Sequence, residues 1–82
     1  MKRYFRHEAE SDLGEGIAYL EFDGQWVSRQ LEIYEDGVFR GTASDSPDMM
    51  TDQPLEELGL TEEHEISAEE FNEAWQSASD LT

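Results

Sequence analysis

Residues 17–34 read Ile-Ala-Tyr-Leu-Glu-Phe-Asp-Gly-Gln-Trp-Val-Ser-Arg-Gln-Leu-Glu-Ile-Tyr, and this stretch decides the fold. Apolar and polar residues alternate on both sides of Asp23-Gly24, which is typical of two half-buried strands. Gly tolerates positive φ, and Asp accepts it better than most residues. The stretch therefore predicts a two-residue hairpin turn at Asp23-Gly24 that joins a strand over 17–22 to a strand over 25–34.

This turn determines which residues share a face of the sheet. It pairs Leu20 with Val27, and the register gathers most apolar side chains on one side. The predicted core side comprises Ala18, Leu20, Phe22, Val27, Leu31, Ile33, Phe39 and Ala43. Arg29 also points to this side, where two outcomes are open: it reaches the rim, or it pairs in a structural role with an acid such as Glu57 or Glu73.

A second turn at Glu35-Asp36-Gly37 leads into a fourth strand over 38–43. We expect a three-residue loop in which Gly37 is left-handed. This loop is preferred over a two-residue loop because it pairs Ile33 with Phe39 on the core side.

The clearest local pattern lies near the C-terminus. Ser67-Ala68-Glu69-Glu70 is a capping box, and Ile66 and Phe71 flank it as a hydrophobic staple. Apolar residues then recur at helical spacing, so the sequence predicts a helix over 68–78 that packs Phe71 onto the sheet.

The remaining segments complete the predicted architecture. A first strand is expected over 2–8, polar loops over 9–16 and 44–53, and one helical turn over 54–59, where Pro is early and Gly is the stop. The fold class is α+β, with an antiparallel sheet of about four strands and a C-terminal helix on one face. The whole chain, 1–82, is expected to be a single domain.

One helix covers only one side of such a sheet. The other side would expose Tyr19, Trp26, Tyr34 and Arg40, residue types that are enriched at binding hot spots. We predict that these four residues contact a partner. The alternatives are that the first strand or residues 44–65 cover this side, or that a homodimer forms through it.

The charge of the chain bears on its partners. The net charge of its 82 residues is −16, and all five Lys and Arg lie within residues 1–40. Such a field repels nucleic acid and anionic membranes and attracts basic proteins. We therefore expect a protein partner with a basic surface, no direct contact with nucleic acid and no contact with a membrane. The alternative is that the charge only keeps the protein soluble.

No catalytic or metal-binding motif stands out. His7 and His64 belong to no ligand spacing, and Cys is absent. Asp45, Asp48 and Asp52 share a loop, but that loop lacks the pattern of a calcium site. We expect no cofactor, no metal and no enzymatic activity. No long apolar run or signal peptide is present, so a cytoplasmic location is the default expectation.

Residues 26–37 and 65–71 carry a family resemblance. The first contains Trp-x-x-Arg-x-Leu-Glu-Ile-Tyr-x-Asp-Gly, and the second is Glu-Ile-Ser-Ala-Glu-Glu-Phe. Together they resemble a family of small, uncharacterised bacterial acidic domains. The resemblance implies a fold like the one predicted above and no assigned activity.

The leading hypothesis is a non-catalytic, acidic protein-binding module, either an immunity-like protein that masks a cationic toxin or an accessory or regulatory subunit. One alternative is a nucleic-acid mimic that inhibits a basic protein by competing carboxylates. Another is a small enzyme of unknown reaction.

Overall fold

The computed structural model describes residues 2–12, 14–45 and 53–81, with the side chains of residues 11 and 79–81 left aside. In chain order the elements are β1 (Lys2–Ser11), β2 (Gly14–Asp23), β3 (Trp26–Tyr34), β4 (Gly37–Thr42), the 3-10 helices Leu55–Glu57 and Glu62–His64, β5 (Glu65–Ile66) and α1 (Ala68–Leu81). None of these helices is long and apolar enough to cross a membrane.

The strands form one antiparallel sheet in the order β4-β3-β2-β1-β5. The expectation of about four strands is wrong, because the short strand β5 adds to the sheet beside β1, with Tyr4 paired to Ile66. Residues 9–16 were expected to be a loop, yet most of them extend the β1–β2 ladder, which runs from Lys2–Asp23 to Ser11–Gly14.

The first hairpin turn lies one residue later than predicted. Asp23 pairs with Trp26, so the loop is Gly24-Gln25, and Gly24 has a φ of +69°. A β-bulge lies beside this turn, because Phe22 pairs with Val27 whereas Glu21, the residue before it on β2, pairs with Arg29. The bulge reverses which face each later residue of β3 occupies.

The second hairpin also differs from its prediction. Tyr34 pairs with Gly37 and Ile33 pairs with Val38, so the loop contains only Glu35-Asp36. Gly37 is not among the glycines with positive φ. The predicted three-residue loop and the Ile33–Phe39 pair are therefore wrong.

Helix α1 packs on one face of the sheet, which we call the helix face. The ring of Phe71 lies 5.3 Å from that of Tyr4, and the Arg29 guanidinium lies over the Phe71 ring. Leu31, Phe71 and Ala78 are fully buried in this layer. The side chains of Tyr19, Ile33 and Arg40 share this face by strand alternation.

The opposite face is also covered. A second apolar cluster lies there and consists of Phe5, Leu20, Phe22, Val27 and Leu55, with Leu58 and Leu60 packed against it. We call this side the segment face, because residues 53–64 cross it. The predicted core side is thus split between two faces, since the bulge places Leu31 and Ile33 opposite Leu20 and Val27.

The predicted helix start is confirmed. The helix begins at Ala68, and the Ser67 hydroxyl accepts a hydrogen bond of 3.1 Å from the Glu70 backbone N–H. The helix continues to Leu81 rather than ending at residue 78. The helical turn expected over 54–59 is present as the 3-10 helix Leu55–Glu57 after Pro54, and Gly59 has a φ of +70°. Of the expected 44–53 loop, residues 46–52 lie outside the described residues, and Asp48 and Asp52 with them.

Candidate functional site

A groove of about 830 Å³ opens on the segment face, beside residues 53–64. Residues 53–60 cover only the half of that face around Phe5 and Phe22. The other half has small side chains at Ala9 and Ala18 and leaves a concave surface. Concave, partly apolar surfaces of this size are typical of ligand sites.

The floor of the groove is formed by the central strands. It includes His7, Ala9, Ala18, Leu20, Gln30 and Glu32. Ala18 and Leu20 are buried, and Gln30 is only 8% exposed. The floor therefore joins an apolar strip on β1 and β2 to a polar strip on β3.

The wall of the groove is formed by the two 3-10 helices and the residues between them. Leu58, Gly59, Leu60, Glu63 and His64 line it. The first hairpin anchors this segment, because Leu55 N–H donates to the Gln25 carbonyl at 2.8 Å and Glu56 N–H donates to the Gln25 side-chain oxygen at 3.1 Å. His64 caps its own 3-10 helix, accepting at Nδ1 from the Thr61 N–H.

Glu32 is an acidic group of β3 on the groove floor. Its Oε1 accepts a hydrogen bond of 2.6 Å from the Tyr34 hydroxyl, and its Oε2 accepts one of 3.0 Å from Gln30 Nε2. Both donors are neutral. They orient the carboxylate while leaving its charge uncompensated.

The absence of a side chain at Gly16 lets Tyr34 lie close to β2. Gly16 pairs with Tyr34 across β2 and β3. A Cβ atom at residue 16 would lie 2.6 Å from Tyr34 Cδ1 and would clash with the carbonyl group of Ile33. Only glycine permits this close approach of ring and backbone.

A second polar centre lies on the helix face, beneath α1. Arg29 Nε and Nη2 donate to the two carboxylate oxygens of Glu21 at 3.0 and 2.5 Å, and Nη2 also donates to Asn72 at 2.9 Å. Ser28 Oγ donates to Glu21 Oε1 at 2.7 Å. The predicted partners Glu57 and Glu73 are therefore wrong, because the neighbouring strand supplies the acid.

The pKa of Glu21 reflects this environment. Burial by itself would raise the pKa of the carboxyl, since Glu21 is 1% exposed. Hydrogen bonds from Arg29 and Ser28, and the charges of Arg29 and Lys2, outweigh burial and lower the pKa to about 2. Glu21 is thus a structural carboxylate and not a proton donor near neutral pH.

The four residues predicted to contact a partner do not share one face. Tyr34 lies on the segment face, beside the groove, whereas Tyr19 and Arg40 lie on the helix face. Arg40 packs over the ring of Trp75 at 4.5 Å and donates to its carbonyl oxygen. Trp26, at the hairpin end, is 56% exposed. Their role in binding a partner stays a prediction.

Sequence reasoning missed the groove because it placed the wrong residues on each face. Leu55, Leu58 and Leu60 were the available signal, since apolar residues at short spacing in an otherwise acidic segment indicate a segment that packs on something. His7 and His64, far apart in sequence, both line the groove.

Among the described residues, no group of three or more His, Asp or Glu has a geometry suited to a metal ion.

Comparisons with known proteins assign the chain to a family. The family model of the myosin VI cargo binding domain matches residues 2–80. Myosin heavy chain 95F of Drosophila melanogaster is 37% identical over 76 residues, which cover 89% of this chain and 6% of that protein. Unconventional myosin-VI of Sus scrofa and that of Homo sapiens are each 38% identical over 64 residues, which cover 74% of this chain and 5% of those proteins.

These matches correct the family expectation. The resemblance to small, uncharacterised bacterial domains is wrong, because the relatives are animal myosins. The chain spans about one twentieth of the length of the curated relatives it matches. The family model describes a domain that binds cargo. Since the family model covers nearly the whole chain, the chain belongs to the myosin VI cargo-binding domain family.

Proposed function

We propose that this chain is a non-catalytic binding module that holds a segment of a partner protein in the groove on the segment face. The observation that carries the proposal is the groove itself, about 830 Å³ in volume, with an apolar strip and a polar strip side by side. Apolar surface supplies affinity for a peptide, and fixed polar groups supply its register.

The charge of the chain supports a basic partner. The net charge is −16, and twelve of the acids lie in residues 41–82, which contain no Lys or Arg. Glu63 brings part of this charge to the groove wall. Such a field accelerates encounter with a cationic segment and weakens as salt is added. Trp26, Tyr19, Tyr34 and Arg40 remain proposed contacts outside or at the rim of the groove.

Peptide selection tests the groove directly. A random peptide library is displayed and selected on the immobilised domain, and the affinities of enriched peptides are measured by fluorescence anisotropy. The blocking variant is Ala9→Trp, because Ala9 lies on the groove floor and an indole there fills the space without removing a contact. The control is Ala43→Trp at an exposed position just after β4.

We expect enriched peptides to be basic, to bind wild type and Ala43→Trp equally, and to lose at least tenfold in affinity for Ala9→Trp. Equal binding to Ala9→Trp would show that the groove is not the site. If Trp26→Ala loses binding instead, the peptide binds at the hairpin end and not in the groove.

A further inference from the structure

We infer that Glu32 is the recognition site for an arginine side chain of the bound segment, so that the groove selects a guanidinium group. This inference rests on the proposed function and names the chemical group that the groove recognises. Three observations carry it: the charge balance of the chain, the geometry around the Glu32 carboxylate and the apolar surface that leads to it.

The charge balance leaves Glu32 without a cation of its own. The chain contains five Lys and Arg residues. All five have other partners: Lys2 and Arg29 pair with Glu21, Arg3 with Glu65, Arg6 with Glu70, and Arg40 binds the Trp75 carbonyl and ring. No ion pair to Glu32 occurs in the part of the chain that the structure describes. A half-buried carboxylate gains most from a cation supplied by a ligand.

The geometry around Glu32 suits a planar, two-pronged donor. Tyr34 and Gln30 each occupy one lone pair of a different carboxylate oxygen. One further acceptor site therefore remains on each oxygen, and two parallel N–H donors match that arrangement. Tyr34, two residues along β3, and Phe39, the cross-strand partner of Glu32 on β4, share the segment face with Glu32, and a guanidinium packs well on aromatic rings.

The approach to Glu32 suits the rest of an arginine side chain. Ala18, the partner of Glu32 on β2, and Leu20 form an apolar floor, and Leu60 stands on the opposite wall. The three methylenes of arginine can lie along this surface while the head reaches the carboxylate. An ammonium group has less to gain, because it is strongly hydrated and cannot bond both oxygens in one plane.

A titration with small probes tests this assignment. The ¹⁵N-labelled domain is titrated with N-acetyl-arginine amide, and N-acetyl-citrulline amide serves as the matched neutral probe of nearly the same shape. N-acetyl-lysine amide tests the preference for a guanidinium. We expect saturable amide shifts at Ala18, Gln30 and Glu32 with the arginine probe, weaker ones with the lysine probe and none with the citrulline probe.

The matched variants are Glu32→Gln and Glu69→Gln, which remove the same charge inside the groove and on the exposed surface of α1. Glu32→Gln should lower the affinity for the arginine probe roughly tenfold or more, and Glu69→Gln should leave that affinity unchanged. Should Glu32→Gln fail to fold, magnetisation transfer in the wild type from the probe's δ-methylene to the Tyr34 ring protons gives an independent reading.

Equal shifts with arginine and citrulline, or shifts scattered over the acidic surface and unchanged in Glu32→Gln, would overturn the inference. Lysine binding as tightly as arginine would overturn the guanidinium preference. If the arginine probe fails while selected peptides still distinguish wild type from Ala9→Trp, the groove function stands and the Glu32 assignment falls. If the peptides fail as well, the proposed function falls with it.

Discussion

Arg29 on β3 and Glu21 on β2 are directly paired across the sheet, and the guanidinium bonds both carboxylate oxygens beneath helix α1. The same guanidinium lies 4.8 Å from the Phe71 ring centroid and 5.1 Å from that of Trp75. The pair therefore joins the two central strands to the helix through charge and aromatic contact at once.

Removing the acid of this pair should destabilise the fold strongly. Glu21→Gln leaves the Arg29 charge under α1 without its counter-charge, and we expect a loss of about 3 kcal/mol in the free energy of unfolding. Urea denaturation measures it. The control is Glu65→Gln, which breaks the exposed pair with Arg3 and should cost far less. Equal losses in the two variants would show that burial gives the Glu21–Arg29 pair no special weight.

The lowered pKa of Glu21 predicts how this contribution varies with pH. The pKa is about 2 in the folded state against an ordinary value of 4.5. Its stabilising contribution is therefore full above pH 4.5 and is lost as the pH falls through 2. Urea midpoints of wild type and Glu21→Gln, measured from pH 6 to pH 2, should converge over this window. Taking the difference between the two proteins removes the effect of the other acids, and a constant gap would contradict the prediction.

The sequence predicted where the hairpins and the helix start lie, but not which side chains share a face. Asp23-Gly24 and Ser67 are local signals, and each marked its element to within a residue. At the bulge between Glu21 and Phe22 the Ser28 hydroxyl bonds both the backbone and the side chain of Glu21, and the local sequence around a strand serine does not predict such a contact. A one-residue shift reverses every later side chain, so one missed bulge split the predicted core.

The candidate site was hidden for a related reason. The predicted core side included Ala18 but not Glu32, yet the two residues are cross-strand partners on the groove floor. The strand β5 was missed because it is two residues long and pairs with the first strand, some sixty residues away in sequence. Neither arrangement follows from local periodicity.

The close contact at Gly16 predicts that a single methyl group is harmful there. Gly16→Ala should cost about 1–3 kcal/mol, because the added carbon overlaps the Ile33 carbonyl and the Tyr34 ring. Gly24 is the comparison site, since nothing lies within 4 Å of its added Cβ and only its φ of +69° resists substitution. Thermal unfolding of four variants separates the two causes. Gly24→Asn should be milder than Gly24→Ala, because Asn tolerates positive φ, whereas Gly16→Asn should be worse than Gly16→Ala.

The two tryptophans predict opposite outcomes for the same substitution. Trp75 stacks 6.0 Å from Phe71 and lies under the Arg29 and Arg40 guanidinium groups, so Trp75→Ala should cost roughly 2–3 kcal/mol of stability. Trp26 is 56% exposed, and Trp26→Ala should change stability by no more than about 0.5 kcal/mol. Urea unfolding followed by circular dichroism compares them on equal terms. A large loss in Trp26→Ala would mean that this indole supports the hairpin and is not free to serve as a partner contact. A negligible loss in Trp75→Ala would mean that Phe71 and Ala78 alone hold the helix on the sheet.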